Sequence, residues 1–261
     1  MKPLWLNETT KLSFPIKAKI GISLIFAFLF VGNLRSQSHI SKPFYVEINV
    51  AARSSFGPSE NQAEISGGVD TLSFDHKKHL IPGFKSALAP ELVIGYRKDN
   101  LHFESTISWF SQDIGLIHKL FNIEYPFAVS EMVSIKLNTL LQFCDRQKNG
   151  EYGLYMGVFV EPVFSVSNKL NKQTRTEFSV GFRPSVQMNW GVDYKYLFRI
   201  GKKGAYLSTG ASVTMPGIIG SIGKIDALPG SSYSIVRDKV QMFTIKGSIG
   251  IGFGLGKINK R

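Results

Sequence analysis

The sequence predicts an all-β fold: an antiparallel up-and-down transmembrane β-barrel of ten strands, with eight as the alternative count. Three observations predict it. Apolar and polar residues alternate with period two through most of the chain beyond residue 40. The alternating segments run about 9–14 residues, as a tilted membrane-crossing strand requires, whereas soluble strands average about 5–6. An export segment precedes them, so residues 1–36 read as a cleaved signal peptide and 37–261 as the barrel domain.

The export segment comes first. Lys2, Lys11, Lys17 and Lys19 precede Ile20–Val31, which is apolar apart from Gly21 and Ser23. Small residues follow, and cleavage is expected after Ser36 or Ser38. A basic start, a short apolar run and a small-residue exit make a signal peptide, and the run falls short of the roughly 20 residues of a helical span. The exit lacks a cysteine, which excludes a lipoprotein signal.

Composition narrows the rest. Of 261 residues, 43% are hydrophobic, too many for a disordered chain. One Cys excludes a disulfide scaffold and cysteine-based zinc or iron–sulfur sites. The formal charge of +12 suggests an anionic partner, with nucleic acid the first to test. Export argues against it, and no zinc-finger, RNP or helix-turn-helix pattern supports it.

Ten segments alternate: Phe44–Arg53, Leu88–Arg97, Leu101–Phe110, Phe121–Val129, Val133–Cys144, Tyr152–Val166, Phe178–Trp190, Val192–Ile200, Ala205–Pro216 and Val240–Leu255. A two-residue turn at Asp99-Asn100 would pair Lys98 with Leu101 and keep one face outward. Asn189-Trp190-Gly191 preserves parity as a three-residue loop does, and Ser130-Glu131-Met132 can act likewise. The eight-strand alternative runs straight through both places. Two long connections, Ser54–Ser86 and Gly217–Asp238, then lie at one end. Phe44, Tyr96, Trp109, Phe110, Trp190 and Phe198 fall near strand ends, where interface girdles sit.

If the apolar face meets lipid, the other face lines the barrel. It carries Glu47, Glu91, Glu104, Glu124, Glu161, Glu177 and Asp193, and Arg53, Arg97, Lys136, Arg183, Lys195, Arg199 and Lys246. Confined charges must be paired or wet, so this even balance reads as a salt-bridge network closing the lumen, with a narrow polar pore as the alternative.

The final strand carries a motif. Ser248, Gly250, Phe253 and Leu255 follow the polar-x-Gly-x-x-hydrophobic-x-hydrophobic spacing of the signal read by barrel assembly machinery. Across about residues 43 to 256 the chain resembles small outer-membrane β-barrel proteins, the "outer membrane protein beta-barrel domain" group of Bacteroidetes-type bacteria. Such signals usually end the chain on an aromatic, whereas Gly256–Arg261 follows here. The resemblance implies a porin-like, Gram-negative outer-membrane protein, and an even strand count places both termini toward the periplasm. Its implied partners are outer-membrane lipids and, during biogenesis, the assembly machinery. A periplasmic or extracellular partner stays unidentified, and a monomer is expected.

No cofactor, metal or catalytic residue is expected. Asp75, His76 and His79 could meet a metal, but Lys77 and Lys78 between them oppose it. His102 beside Glu104, with Ser108 along the strand, offers the residue types of a hydrolase but reads as an interior hydrogen-bonded histidine. Cys144 reads as an inert small residue. On the ten-strand count the basic excess gathers at the periplasmic rim. The contributors are Lys42, Lys98, Lys169, Lys172, Arg175, Lys202, Lys203, Lys257, Lys260 and Arg261, against Asp99 and Glu131. Anionic headgroups are the matching surface. The function expected is a non-catalytic structural or binding module presenting extracellular loops. The alternatives are a narrow solute channel and, after it, a lipid-modifying enzyme.

Overall fold

The computed structural model describes residues 43–57, 64–67, 80–98, 100–118, 121–146, 152–172, 179–200, 205–215, 219–231, 233–236 and 239–255. The signal segment, Asp75–His79, Arg175 and Glu177 lie outside them. Fourteen strands occur among the described residues. The first seven are β1 (Phe44–Phe56), β2 (Glu64–Gly67), β3 (Leu80–Phe84), β4 (Ala87–Lys98), β5 (Leu101–His118), β6 (Glu124–Arg146) and β7 (Tyr152–Leu170). The others are β8 (Val180–Pro184), β9 (Val186–Ile200), β10 (Ala205–Met215), β11 (Gly223–Ala227), β12 (Tyr233–Val236), β13 (Lys239–Val240) and β14 (Phe243–Leu255).

Eight of these close a ring, in the order β1, β4, β5, β6, β7, β9, β10, β14 and back to β1, every pair antiparallel. Stepping between paired residues from Tyr45 leads through Gly95, Glu104, Asn138, Phe159, Gly191, Thr214 and Thr244 to Ser55. The path returns to β1 ten residues further on, a stagger that tilts the strands by about 40–45°.

The ten-strand count is therefore corrected to eight. Phe121–Val129 and Val133–Cys144 belong to one 23-residue strand, β6. Ser130-Glu131-Met132 is no turn, since these residues pair straight across to Gln112, Ser111 and Phe110. Asn189-Trp190-Gly191 likewise lies inside β9, paired with Glu161, Val160 and Phe159. Lys98 and Leu101 are paired, as the expected turn between them requires, while Asp99 lies outside the described residues. The two long connections contain strands: β2 and β3 in the first, β11 and β12 in the second.

Phe44 and Leu255 are paired at one end, here called the terminal end; the opposite one is the loop end. Eight strands move Lys169, Lys172 and Glu131 from the terminal end to the loop end.

Outside, the barrel wears an apolar belt. Ile48, Leu88, Ile94, Phe103, Leu137, Val158, Val192 and Ile251 are each more than two-fifths exposed. Water would penalise such a surface, and lipid would not. On β5 the belt runs from Leu101 to Trp109, roughly 20 Å of height at this tilt. Phe44, Tyr96, Trp109, Trp190 and Phe198 all face outward, and Phe44 stacks on Tyr96 at 5.0 Å. Phe110 does not join them. It is 2% exposed, because its even position on β5 points it inward.

The barrel interior as candidate functional site

Inward positions fall on odd residues of β1, β4, β7 and β9 and on even residues of β5, β6, β10 and β14 through the belt. Among the described residues this face buries five carboxylates (Glu47, Glu91, Glu104, Glu161, Asp193) and five cations (Arg53, Arg97, Lys136, Lys195, Lys246). They form two layers.

The layer toward the terminal end centres on Lys195. Its Nζ bonds Glu104 and sits 2.8 Å from Glu47. Tyr45 donates to Glu104 at 2.5 Å, and Tyr206 donates to Glu47 at 2.8 Å. The chain Tyr206–Glu47–Lys195–Glu104–Tyr45 thus crosses the lumen. Arg97 lies over Tyr45 at 4.1 Å and near Tyr206 at 5.0 Å. His102 stacks on Tyr155 at 4.2 Å.

Glycines make this layer possible. Tyr45 is the strand partner of Gly95, and Tyr206 that of Gly252. A Cβ on either glycine would sit 2.1 or 2.2 Å from the ring that lies across it. The pair lets a tyrosine lie flat on the inner wall and reach a carboxylate beyond it.

The second layer is nearer the loop end. Lys136 meets Asp193 at 2.5 Å, with Asn138 donating to the same oxygen. Lys246 meets Glu91 at 2.7 Å, and Ser108 donates to that carboxylate at 2.9 Å. Arg53 meets Glu161 at 3.2 Å and covers the Phe110 ring at 4.1 Å. Between the layers a cavity of about 20 Å³ touches Asn49, Glu91, Lys136, Asp193, Lys195 and Ser208, room for about one water.

Two predicted members lie elsewhere. Glu124 is exposed at the loop end, 3.8 Å from Lys85, because β6 continues beyond the belt there. Arg183 belongs to β8, which pairs with β11 rather than with the barrel wall, and its exposed side chain meets Asp226 at 2.5 Å. Arg199 lies in β9 opposite Tyr206. Cys144 lies in β6 opposite Leu154. The assembly-motif residues lie on β14, with Ser248 and Gly250 toward the lumen and Phe253 and Leu255 outward.

His102, Glu104 and Ser108 do not assemble a relay. Lys195 and Tyr45 hold Glu104, Glu91 holds Ser108, and His102 Nδ1 has no hydrogen-bond partner. The histidine is interior, as expected, and packs against the Tyr45 and Tyr155 rings.

Above the charged layers the lumen becomes an apolar core. The wall supplies Phe110, Ile114, Leu116, Phe127, Met132 and Val163. A small sheet of β8, β11 and β13 supplies Val180, Phe182, Ile225 and Val240, joined by Ile222 and Met242. Phe182 meets Phe127 edge-on at 6.3 Å. Gln187 fastens this cap to the wall, donating to the Met242 carbonyl at 2.9 Å and accepting from its N–H at 3.0 Å. Sequence reading missed this cap, because its strands are only two to five residues long.

No protein-family model matches the chain, and no curated protein matches it. Among solved structures, the outer membrane protein OprG from Pseudomonas aeruginosa is similar with a TM-score of 0.51 and 14% identity, covering 85% of this chain and 100% of that one. Neisserial surface protein A aligns with a TM-score of 0.41 and 15% identity, over 81% of this chain and 97% of that one. The outer membrane protease OmpT from Escherichia coli aligns at 0.41 and 8%, over 85% and 99%. The likeness to OprG shows the fold that strand pairing gives independently: a closed antiparallel barrel.

Proposed function

We propose that this chain is an integral outer-membrane protein that acts without catalysis. It is a monomeric, closed barrel serving as a structural or binding module through its loop end. One observation carries the reading: the belt is apolar outside and charged inside, the reverse of a water-soluble protein. The paired charge layers and the apolar cap support a closed lumen. In this reading the terminal end faces the periplasm and the loop end faces outward. Residues 1–36 serve as the export signal, the final strand engages the assembly machinery, and lipids cover the belt.

Cell fractionation with heat-modifiable gel migration tests the location; recovery as a soluble periplasmic protein overturns it. Planar-bilayer recording tests closure, with no sustained current expected. Stable single-channel steps would replace the closed module with a narrow solute channel. Lipid A and phospholipid profiles are expected to stay unchanged on gene deletion, and a changed profile would favour a lipid-modifying enzyme.

A further inference from the structure

The charge layers leave one cation unspoken for. Glu47 and Glu104 are engaged by Lys195, Tyr45 and Tyr206, and neither accepts a hydrogen bond from Arg97. Arg97 is only 7% exposed, yet Nε and both terminal nitrogens lack a partner. A buried guanidinium that donates to nothing is costly, and a native protein that keeps one needs an explanation such as a bound ion or water.

Its neighbours share the condition. His102 is the strand partner of Arg97 and is 2% exposed, with Nδ1 unpartnered. Gln142 is 7% exposed, with Oε1 unpartnered; as an acceptor, that atom serves a protonated oxygen of a bound group and not its charge. Contacts connect the three. Arg97 and His102 both lie against Tyr45, His102 stacks on Tyr155, and Tyr155 is the strand partner of Gln142. All three sit within the last turns of the lumen at the terminal end, next to the Asp99-Asn100 connection and the end of β6.

We propose that this end of the lumen is an anion site, in which Arg97, flanked by His102 and Gln142, takes the carboxylate or phosphate oxygens of a small ligand. The chemistry favours an oxyanion. Arg97 lies over the Tyr45 ring and near that of Tyr206, its side-chain donors are unspent, and a planar fork matches two oxygens at once. Stacking also fixes the fork beforehand, reducing the ordering cost of binding. The phosphate could belong to a free ion or to a lipid headgroup at the rim. The inference needs only the barrel and not its location.

Side-chain ¹⁵N spectra of the full chain, refolded in a sugar-headgroup detergent that carries no anion, test it. Inorganic phosphate or acetate should move the Arg97 Nε–H signal saturably. Arg97→Gln should weaken binding at least tenfold, measured by calorimetry, while the exposed control Arg183→Gln leaves it unchanged. Saturation of the signal in phosphatidylglycerol vesicles, without added phosphate, would identify the headgroup as the source. If neither anion nor vesicle moves the wild-type signal, the site is overturned. That titration decides the matter even should Arg97→Gln fail to refold. Heat-modifiable migration of the same sample reports the barrel separately, so a failed fold and a failed site are distinguishable.

Discussion

The two halves of β5 obey opposite rules. From Leu101 to Trp109 the outward residues Leu101, Phe103, Ile107 and Trp109 are exposed and apolar, while His102, Glu104, Thr106 and Ser108 are buried and polar. From Phe110 to Leu116 the inward residues include Phe110, Ile114 and Leu116, and the outward ones include Ser111 and Asp113. β6 switches at the same height. Glu131 faces outward there, accepting from Trp109 Nε1 at 3.1 Å and Ser111 at 2.7 Å. The backbone ladder continues through the switch. What changes is the solvent outside the wall, so the switch marks where the belt ends and an ordinary water-facing shell with an apolar core begins.

The comparison predicts different failures in the two halves. The largest effect belongs to Lys195→Met, which strands Glu47 and Glu104 in a buried site. A loss of about 3–5 kcal/mol is expected, read by urea unfolding in lipid vesicles. Replacing Glu47 and Glu104 by Gln in the same chain should recover much of it, because the uncompensated charges are gone. No recovery would mean that the lysine stem, and not its charge, holds this layer.

Phe182→Ala should act only on the other half. Removing a buried phenylalanine from the apolar core costs roughly 3 kcal/mol of local stability. The ring of eight strands does not contain β8, so heat-modifiable migration should persist while proteolysis at the loop end accelerates. Loss of both together would join the halves into one cooperative unit.

The same switch explains what could be read from the sequence. Within the belt, fixed parity marked the inward and outward faces and the five interior carboxylates found among the described residues, and it paired Lys98 with Leu101. Beyond Trp109 the parity of apolar residues flips, which in a sequence looks like a strand end. Irregular pairing near Ile114, Met132 and Gln142 breaks the period again. Parity runs unchanged through Ser130-Glu131-Met132 and Asn189-Trp190-Gly191, as it does through a three-residue loop, and reading loops there divides β6 and β9 and gives the count of ten. The cap was illegible for another reason, since strands of two to five residues carry too little period to detect. Lumen partners such as Lys195 with Glu104 are 91 residues apart, and only closure of the ring brings them together.

A smaller effect tests how the polar half is shaped. Gly95→Ala places a methyl against the Tyr45 ring and should cost about 1–3 kcal/mol by overpacking. Pairing it with Tyr45→Phe should not relieve the loss, because the ring stays. Pairing it with Tyr45→Leu should, if the glycine exists to seat that ring. Vesicle unfolding of the three variants separates these outcomes.

The smallest effect is expected where the interior network was wrongly extended. Arg183 and Asp226 are close in space, but the arginine side chain is 77% exposed in the cap sheet. Water screens such a pair, so Arg183→Ala should change stability by less than about 0.5 kcal/mol. The contrast with Arg53 is informative, since both are arginines paired with one carboxylate. Arg53 is 1% exposed, bonded to Glu161 and stacked on Phe110. Arg53→Ala should therefore cost several-fold more in the same assay, through the buried carboxylate left behind. Equal losses would show that the cap, and not the depth of the charge, sets the energetics at the loop end.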